Sequence, residues 1–245
     1  MVLCKNQPPT ISTDSFLNGK LKIYQSKDAF KSGSDAVFLS AFPNIKSGTV
    51  LDVGCGTGVI SLCLANRFPL LRIEGVDIQK DLISLASQNA EENNLGSQCT
   101  FSWGDIINSS YEKQSFDHVV TNPPYFNFSS PSPNPKIALA KNQKTSLETW
   151  IKACANHLKP RGFIYSIYPT ERIDNMIHAL VGFGGINLFP LWSKANDISK
   201  RTLISAQKGV FKPCKLHPGM ILHNSDGTYT DQAEGVLRSG HLISV

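Results

Sequence analysis

From residue 49 onward the chain alternates short apolar runs with stretches whose apolar residues recur every three or four positions. The first texture predicts buried strands and the second amphipathic helices packed on them. Thr49 to Gly54 is an apolar run closed by glycine and predicts a strand, and Gly58 to Arg67 carries Val59, Leu62 and Cys63 at helical spacing. Arg72 to Ile78 predicts a second strand. Lys80 to Asn94 predicts a helix with Leu82, Leu85 and Ala86 on one face, stopped by Leu95-Gly96. Cys99 to Trp103 and Phe116 to Thr121 predict the third and fourth strands. Further on, Ser146 to Leu158 and Arg172 to Val181 read as helices, and Gly162 to Tyr168, Phe189 to Trp192 and Thr202 to Ala206 as strands. The alternation predicts an α/β fold, a doubly wound, mostly parallel, seven-stranded sheet with helices on both faces. Residues 49–245 form this domain, and residues 1–48 are an N-terminal extension packing over its ligand end. The Ser-, Pro- and Asn-rich stretch 127–135 predicts a loop hanging from the fourth strand.

Composition narrows the class without choosing a chemistry. At 245 residues, 41% hydrophobic and 18% charged, with mean hydropathy −0.14, the chain suits one globular domain with a core of its own. No apolar run approaches the ~18 residues of a membrane span, and Met1 to Lys20 lacks the apolar core of a signal peptide. Six scattered cysteines, with no CxxC pair and no zinc-like Cys/His spacing, point to a reduced cytoplasmic protein without a metal site. The net charge of +5 is unevenly spread: +3 over residues 1–49, −5 over 50–135, +9 over 136–215 and −2 over the last thirty. Such a basic segment fits either a solvated lysine-rich surface or a polyanion partner.

In doubly wound sheets ligands bind at the carboxyl ends of the strands, where the strand order reverses. The first predicted strand ends in Asp52-Val53-Gly54-Cys55-Gly56-Thr57-Gly58. A dehydrogenase fingerprint would put its third glycine at position 59, which is Val59, and a P-loop would need a lysine that is missing. The turn instead resembles the first motif of class I S-adenosylmethionine-dependent methyltransferases, a Rossmann-like family. Asp77, at the tip of the second strand, suits the ribose hydroxyls of an adenosine ligand, or else caps the following helix. That resemblance makes Asp52, Gly54, Cys55, Gly56, Gly58, Asp77 and Ile78 cofactor-binding candidates. It adds Gly104, Asp105 and Ile106 beside the adenine, with Asp105 as a plain turn residue the alternative.

The fourth strand ends in Asn122-Pro123-Pro124-Tyr125. Two prolines stiffen the backbone and remove two N–H donors, so carbonyls face the site unopposed. The Asn122 side-chain oxygen and the Pro123 carbonyl can each accept one proton of a planar amino group, holding its lone pair toward an electrophilic methyl. Tyr125 offers a face for stacking a flipped base. Asn122, Pro123, Pro124 and Tyr125 are therefore the catalytic candidates, and Asn122 also borders the cofactor. The corner goes with methylation of adenine N6, cytosine N4, guanine N2 or a glutamine amide.

The flanks resemble a narrower group. Phe30 to Leu39 (FKSGSDAVFL), with Thr13 to Lys20 and Tyr24-Gln25 upstream and Leu222 to Asn224 and Gly227 to Thr230 downstream, is similar to the bacterial tRNA1(Val) adenine-N6 methyltransferases. That resemblance implies methyl transfer to N6 of the adenine just 3′ of the anticodon, with tRNA as partner. It also implies that Lys31, Gly33 and Asp35 lie over the methionine end of the cofactor. The alternatives are a solvated Lys31 and an Asp35 that caps a helix. Lys194, Lys200 and Arg201 are candidate phosphate contacts on charge alone, and Lys136, Lys141 and Lys144 follow the long loop. Rival readings are a release-factor glutamine methyltransferase, a ribosomal RNA methyltransferase, a nucleotide-dependent oxidoreductase and a non-catalytic RNA-binding protein.

Overall fold

The computed structural model describes residues 10–27, 31–108, 113–124 and 146–244. An antiparallel hairpin of β1 (Ile11–Phe16) and β2 (Leu21–Ser26) comes first, followed by α1 (Ser34–Ala41). Then come β3 (Gly48–Val53), α2 (Val59–Arg67), β4 (Leu71–Asp77), α3 (Lys80–Glu92), β5 (Cys99–Trp103) and β6 (Phe116–Thr121). The second half supplies α4 (Leu147–His157), β7 (Leu158–Pro169), α5 (Ile173–Ala179), β8 (Phe183–Trp192) and β9 (Arg201–Lys208). Two-residue strands β10 (Lys215–Leu216) and β11 (Met220–Ile221) and the short α6 (Asp231–Glu234) close the chain.

The main sheet runs β10-β8-β9-β7-β6-β3-β4-β5, with β11 also on β8. Strands β5, β4, β3, β6 and β7 are parallel, and β9 is antiparallel to both β7 and β8. The seven expected strands are all present, and β10 and β11 extend the sheet to nine because they pair along the outer edge of β8. Two residues are too few to show an alternating pattern in sequence. Successive side chains of a strand point to opposite faces, so Val50 and Leu51 of β3 enter two separate cores. Val50, with Ile73, Val120 and Tyr165, packs under α1 and α2 through Phe38, Leu39 and Leu62. Leu51, with Val53, Val119 and Ile164, packs under α4 and α5 through Trp150, Ile151, Cys154 and Met176.

The N-terminal hairpin is part of the first core, through Leu17, Leu21 and Ile23. Its link to α3 is made by side chains. Asn89 accepts from the Tyr24 N–H (2.7 Å) and donates to the Tyr24 carbonyl (3.1 Å). One turn on, Asn93 does the same for Lys22 at 2.9 and 2.8 Å. Two carboxamides four residues apart share a helix face and here stand in for a partner strand. At the other end of the chain, Arg67 donates to Ser40 Oγ (2.7 Å) and to the carbonyls of Cys63 and Val236 (both 3.3 Å). The Ile243 N–H bonds the Ala41 carbonyl at 2.9 Å, so residues 236–243 close over α1. Among the described residues no helix is long and apolar enough to cross a membrane, and no cluster of His, Cys, Asp or Glu suits a metal ion.

Candidate active site

Strand order reverses at β3, since the chain proceeds through β4 and β5 on one side and through β6 and β7 on the other. The carboxyl ends of β3, β4, β5 and β6 therefore surround one crevice, the expected place for a ligand. The turn after β3 fills its floor. Gly54, Gly56 and Gly58 have φ of +73°, +56° and +82°, a region that L side chains rarely adopt. A Cβ on Gly58 would lie 2.9 Å from the Phe101 ring, whereas one on Gly56 would meet nothing within 4 Å. The turn is thus packed on its helix side and open at Gly56, where a ligand can lie against bare backbone.

Hydrogen bonds tie this turn to β4 and, through Asp77, to the approach to α3. The N–H groups of Gly54 and Cys55 bond the Val76 carbonyl at 2.8 and 3.1 Å. Asp77 Oδ2 accepts from the Gly56 N–H (3.0 Å), and its Oδ1 from the Gln79 N–H (2.8 Å) ahead of α3. Asp77 therefore steadies the chain leading into α3 and holds the glycine turn. Burial raises its pKa, and the backbone donors at Gln79 and Gly56 pull the other way.

Asp52 lies fully buried beneath the turn. Its Oδ2 accepts from Ser61 Oγ at 2.7 Å, and its Oδ1 is a buried acceptor with no donor. Burial pushes its pKa up to about 7 against the Ser61 hydrogen bonds. Burial also pushes the Cys55 thiol up, with the Asp52 and Asp77 carboxylates adding to it, so Cys55 is a packed neutral group.

On the adenine side of the expected site, the Gly104 N–H bonds the Asp77 carbonyl (3.0 Å), bringing β5 to β4. Asp105 is a turn residue: Oδ1 accepts from the Ile107 N–H at 3.0 Å and Oδ2 from Asn108 Nδ2 at 2.9 Å. Ile106 is buried, and Ile78 presents its carbonyl to the Trp103 indole N–H at 2.9 Å. Trp103 itself is 64% exposed beside the crevice, a wall that the sequence pattern showed only as the last residue of a strand.

Asn122 and Pro124 are half-buried and Pro123 is buried directly after β6, and Tyr125 lies outside the described residues. What holds this corner was not foreseen. Trp150 of α4 donates its indole N–H to Thr121 Oγ1 (3.0 Å), which donates to the Val53 carbonyl (2.9 Å). The same indole ring lies 3.3 Å from where a Gly54 Cβ would be. One buried tryptophan thus couples the last residue of β6, the last of β3 and the first glycine of the turn. Asn89, buried in α3, adds a second coupling by donating to the Thr57 carbonyl at 2.9 Å while holding the hairpin.

The segment before α1 is organised by ion pairs. Lys31 lies 3.7 Å from Asp14, and Gln25 bridges Asp14 (2.8 Å) and both backbone groups of Ser32. Gly33 precedes the first residue of α1, and Asp35 accepts from Arg201 Nε at 2.9 Å. Arg201 thereby joins β9 to α1, Lys194 bonds the Ser225 carbonyl (3.2 Å) and Lys200 is exposed. Lys136, Lys141, Lys144 and the 127–135 loop lie outside the described residues.

Comparison with known proteins agrees with this geometry. The family model described as "Methyltransferase small domain" matches residues 22–172. A protein of Porphyromonas gingivalis named tRNA1(Val) (adenine(37)-N6)-methyltransferase is 33% identical over 174 residues, 67% of this chain and 68% of that one. A protein of the same name from Proteus mirabilis is 29% identical over 90% of each chain. Among solved structures, a predicted O-methyltransferase from Agrobacterium tumefaciens aligns with a TM-score of 0.72 and 18% identity, over 86% of this chain and 98% of its own. A 16S rRNA N2 G1207 methyltransferase from Thermus (T. Thermophilus) aligns at 0.57 with 17% identity, over 81% of this chain and 50% of its own. At these identities the two structures speak for the fold.

Proposed function

The chain belongs to the methyltransferase small domain family, and from that premise we propose that it methylates N6 of an adenine in tRNA, the one 3′ of the anticodon in tRNA1(Val), using S-adenosylmethionine. The observation that carries this reading is the Asn122-Pro123-Pro124 corner. It stands at the end of β6, beside the open glycine turn of β3, in a chain whose relatives bear that name over most of their length. A cytoplasmic site of action goes with that substrate.

The residues present fit the cofactor. The open backbone at Gly56 leaves room for it, and the donor-less Oδ1 of Asp52 suits an N–H group. S-adenosylmethionine supplies a methyl group on a sulfonium, electrophilic enough to need no metal. Gly54, Cys55, Gly56 and Gly58 shape the floor on which it lies. Asp77 and Ile78 take the ribose side, and Gly104, Asp105 and Ile106 the adenine side. Lys31, Gly33 and Asp35 take the methionine end, which makes residues 1–48 an extension over the cofactor site of the 49–245 domain.

Asn122 and the Pro123 carbonyl accept the two protons of the target amino group and leave its lone pair facing the methyl. Tyr125 stacks on the base. The proton lost after transfer passes to solvent. Catalysis of this kind works by position and oriented dipoles.

Purified protein incubated with methyl-labelled S-adenosylmethionine and, in parallel, with RNA or with release factors from a strain lacking its own copy tests the proposal, with labelled nucleosides mapped by digestion and mass spectrometry. N6-methyladenosine beside the tRNA1(Val) anticodon is expected. The Asn122→Ala variant should lose about two orders of magnitude or more in kcat and still bind the cofactor. Label in a release factor and none in RNA would refute the substrate and leave the cofactor reading standing.

A further inference from the structure

The edge of the sheet opposite the candidate site has a chemistry of its own. It is formed by the starts of β6, β7 and β8, the end of β9 and the chain that follows. Over residues 113–118, 156–162, 180–187 and 205–217 there are six lysines and arginines (Lys113, Lys159, Arg161, Lys208, Lys212 and Lys215) against one carboxylate, Asp117. Glu112 lies outside the described residues. The crevice edge, by contrast, mixes Lys31, Arg172, Lys194, Lys200 and Arg201 with Asp35, Glu171, Asp197 and Asp226.

Three of the six cations have structural partners: Lys159 pairs with Asp117 at 2.8 Å, Lys208 donates to the carbonyls of Ala155 and Leu158 at 2.6 and 2.7 Å, ending α4, and Lys212 reaches Gln207 Oε1 at 3.4 Å while staying exposed. Lys113, Arg161, Lys212 and Lys215 are exposed.

The backbone holds these side chains outward. Arg161 sits at φ +63° in a bulge, where Phe116 pairs with Leu158 but His118 pairs with Phe163, and its carbonyl accepts from Gln207 Nε2 at 2.9 Å. A non-glycine residue in that conformation is uncommon and is kept by its surroundings. The stretch after β9 is strapped to β8 by Gly209 N–H to the Gly182 carbonyl (2.8 Å) and Gly185 N–H to the Lys212 carbonyl (3.0 Å). From this strap Phe211 projects with its whole surface in water, at 106% exposure. A ring so placed contributes nothing to the core. Exposed cations on the same edge as an exposed ring match the backbone and bases of RNA, which need phosphate neutralisation and a stacking platform.

We infer that this edge is a second RNA-docking surface, gripping a part of the substrate RNA away from the reacting base. It rests on the reading that the substrate is RNA. The six residues of β6 separate the two edges by roughly 20 Å, so a short loop seated at Asn122 would not reach it and a full-length tRNA can.

The test compares wild type with Lys212→Gln/Lys215→Gln and Phe211→Ala on full-length tRNA1(Val) transcript and on its isolated anticodon stem-loop. Filter binding without cofactor, at several salt concentrations, is read beside steady-state kinetics. Each variant is expected to weaken full-length binding and raise its KM by about tenfold, with kcat and stem-loop kcat/KM unchanged. The double variant should also make the salt dependence shallower by about two. Unchanged full-length binding would overturn the inference, and so would equal weakening of both RNAs. Wild type that neither binds nor methylates RNA would instead be the failure of the functional reading, and would take this surface with it.

Discussion

Replacing Asp52 by asparagine is expected to flatten the dependence of folding stability on pH. Asp52 is wholly buried, and burial pushes its pKa from 3.8 up to about 7. The folded state therefore holds the proton more tightly than the unfolded chain does. The stabilisation is fully present below pH about 4 and is lost as pH rises through about 7. Linkage between pH 5 and pH 8 gives a loss of about 2 to 3 kcal/mol from this one group. Asparagine keeps an acceptor for Ser61 and carries no charge, so its curve lacks that fall. Its amide N–H, set where Oδ1 had no donor, adds a penalty of about 1–3 kcal/mol that is the same at every pH. The slope thus isolates the charge from the offset. Urea denaturation of both proteins at pH 5, 6, 7 and 8 measures it, and parallel curves would refute the claim that an ionised Asp52 is costly in the fold.

Asn89→Ala removes the bonds to Tyr24 and Thr57 together, and should cost about 2–3 kcal/mol while weakening cofactor binding, as read by denaturation and calorimetry. Thr121→Val leaves the Trp150 indole without its acceptor, at a cost of about 1–3 kcal/mol, and lowers kcat. Thr121→Ser keeps the hydroxyl and should restore both, so equal loss in Val and Ser variants would show that the hydroxyl does not position the corner.

The elements around the crevice were legible because their patterns are unbroken. β5 and β6 have the bounds that the sequence predicts, and α3 ends two residues early, at Glu92. β7 and β8 are longer than expected because Pro160 and the Gly184-Gly185 pair look like breaks. In the fold, the first is absorbed by the bulge after Leu158, and Gly184 lets residue 210 pass close by. The hairpin leaves little mark in the pattern, since β1 alternates between exposed and half-buried residues with little apolar signal. The candidate site residues were legible through motifs that resemble those of a known family. Their supports were not, because an asparagine inside a helix reads as a solvent position and Trp150 reads as one more apolar residue of a helical stripe. Those roles depend on partners 29 to 65 residues away in sequence.

The closure of residues 236–243 over α1 has a consequence for how the protein is made. Ser40 and Arg67 are synthesised well before the Val236 carbonyl that joins them and the Ile243 N–H that caps Ala41. At about 5–20 residues per second, translation from Arg67 to Ile243 takes roughly 9 to 35 s. For that interval a finished α2 carries a guanidinium facing an open flank. The nascent chain must wait for its own tail, and until residue 236 is made its first core stays unsealed.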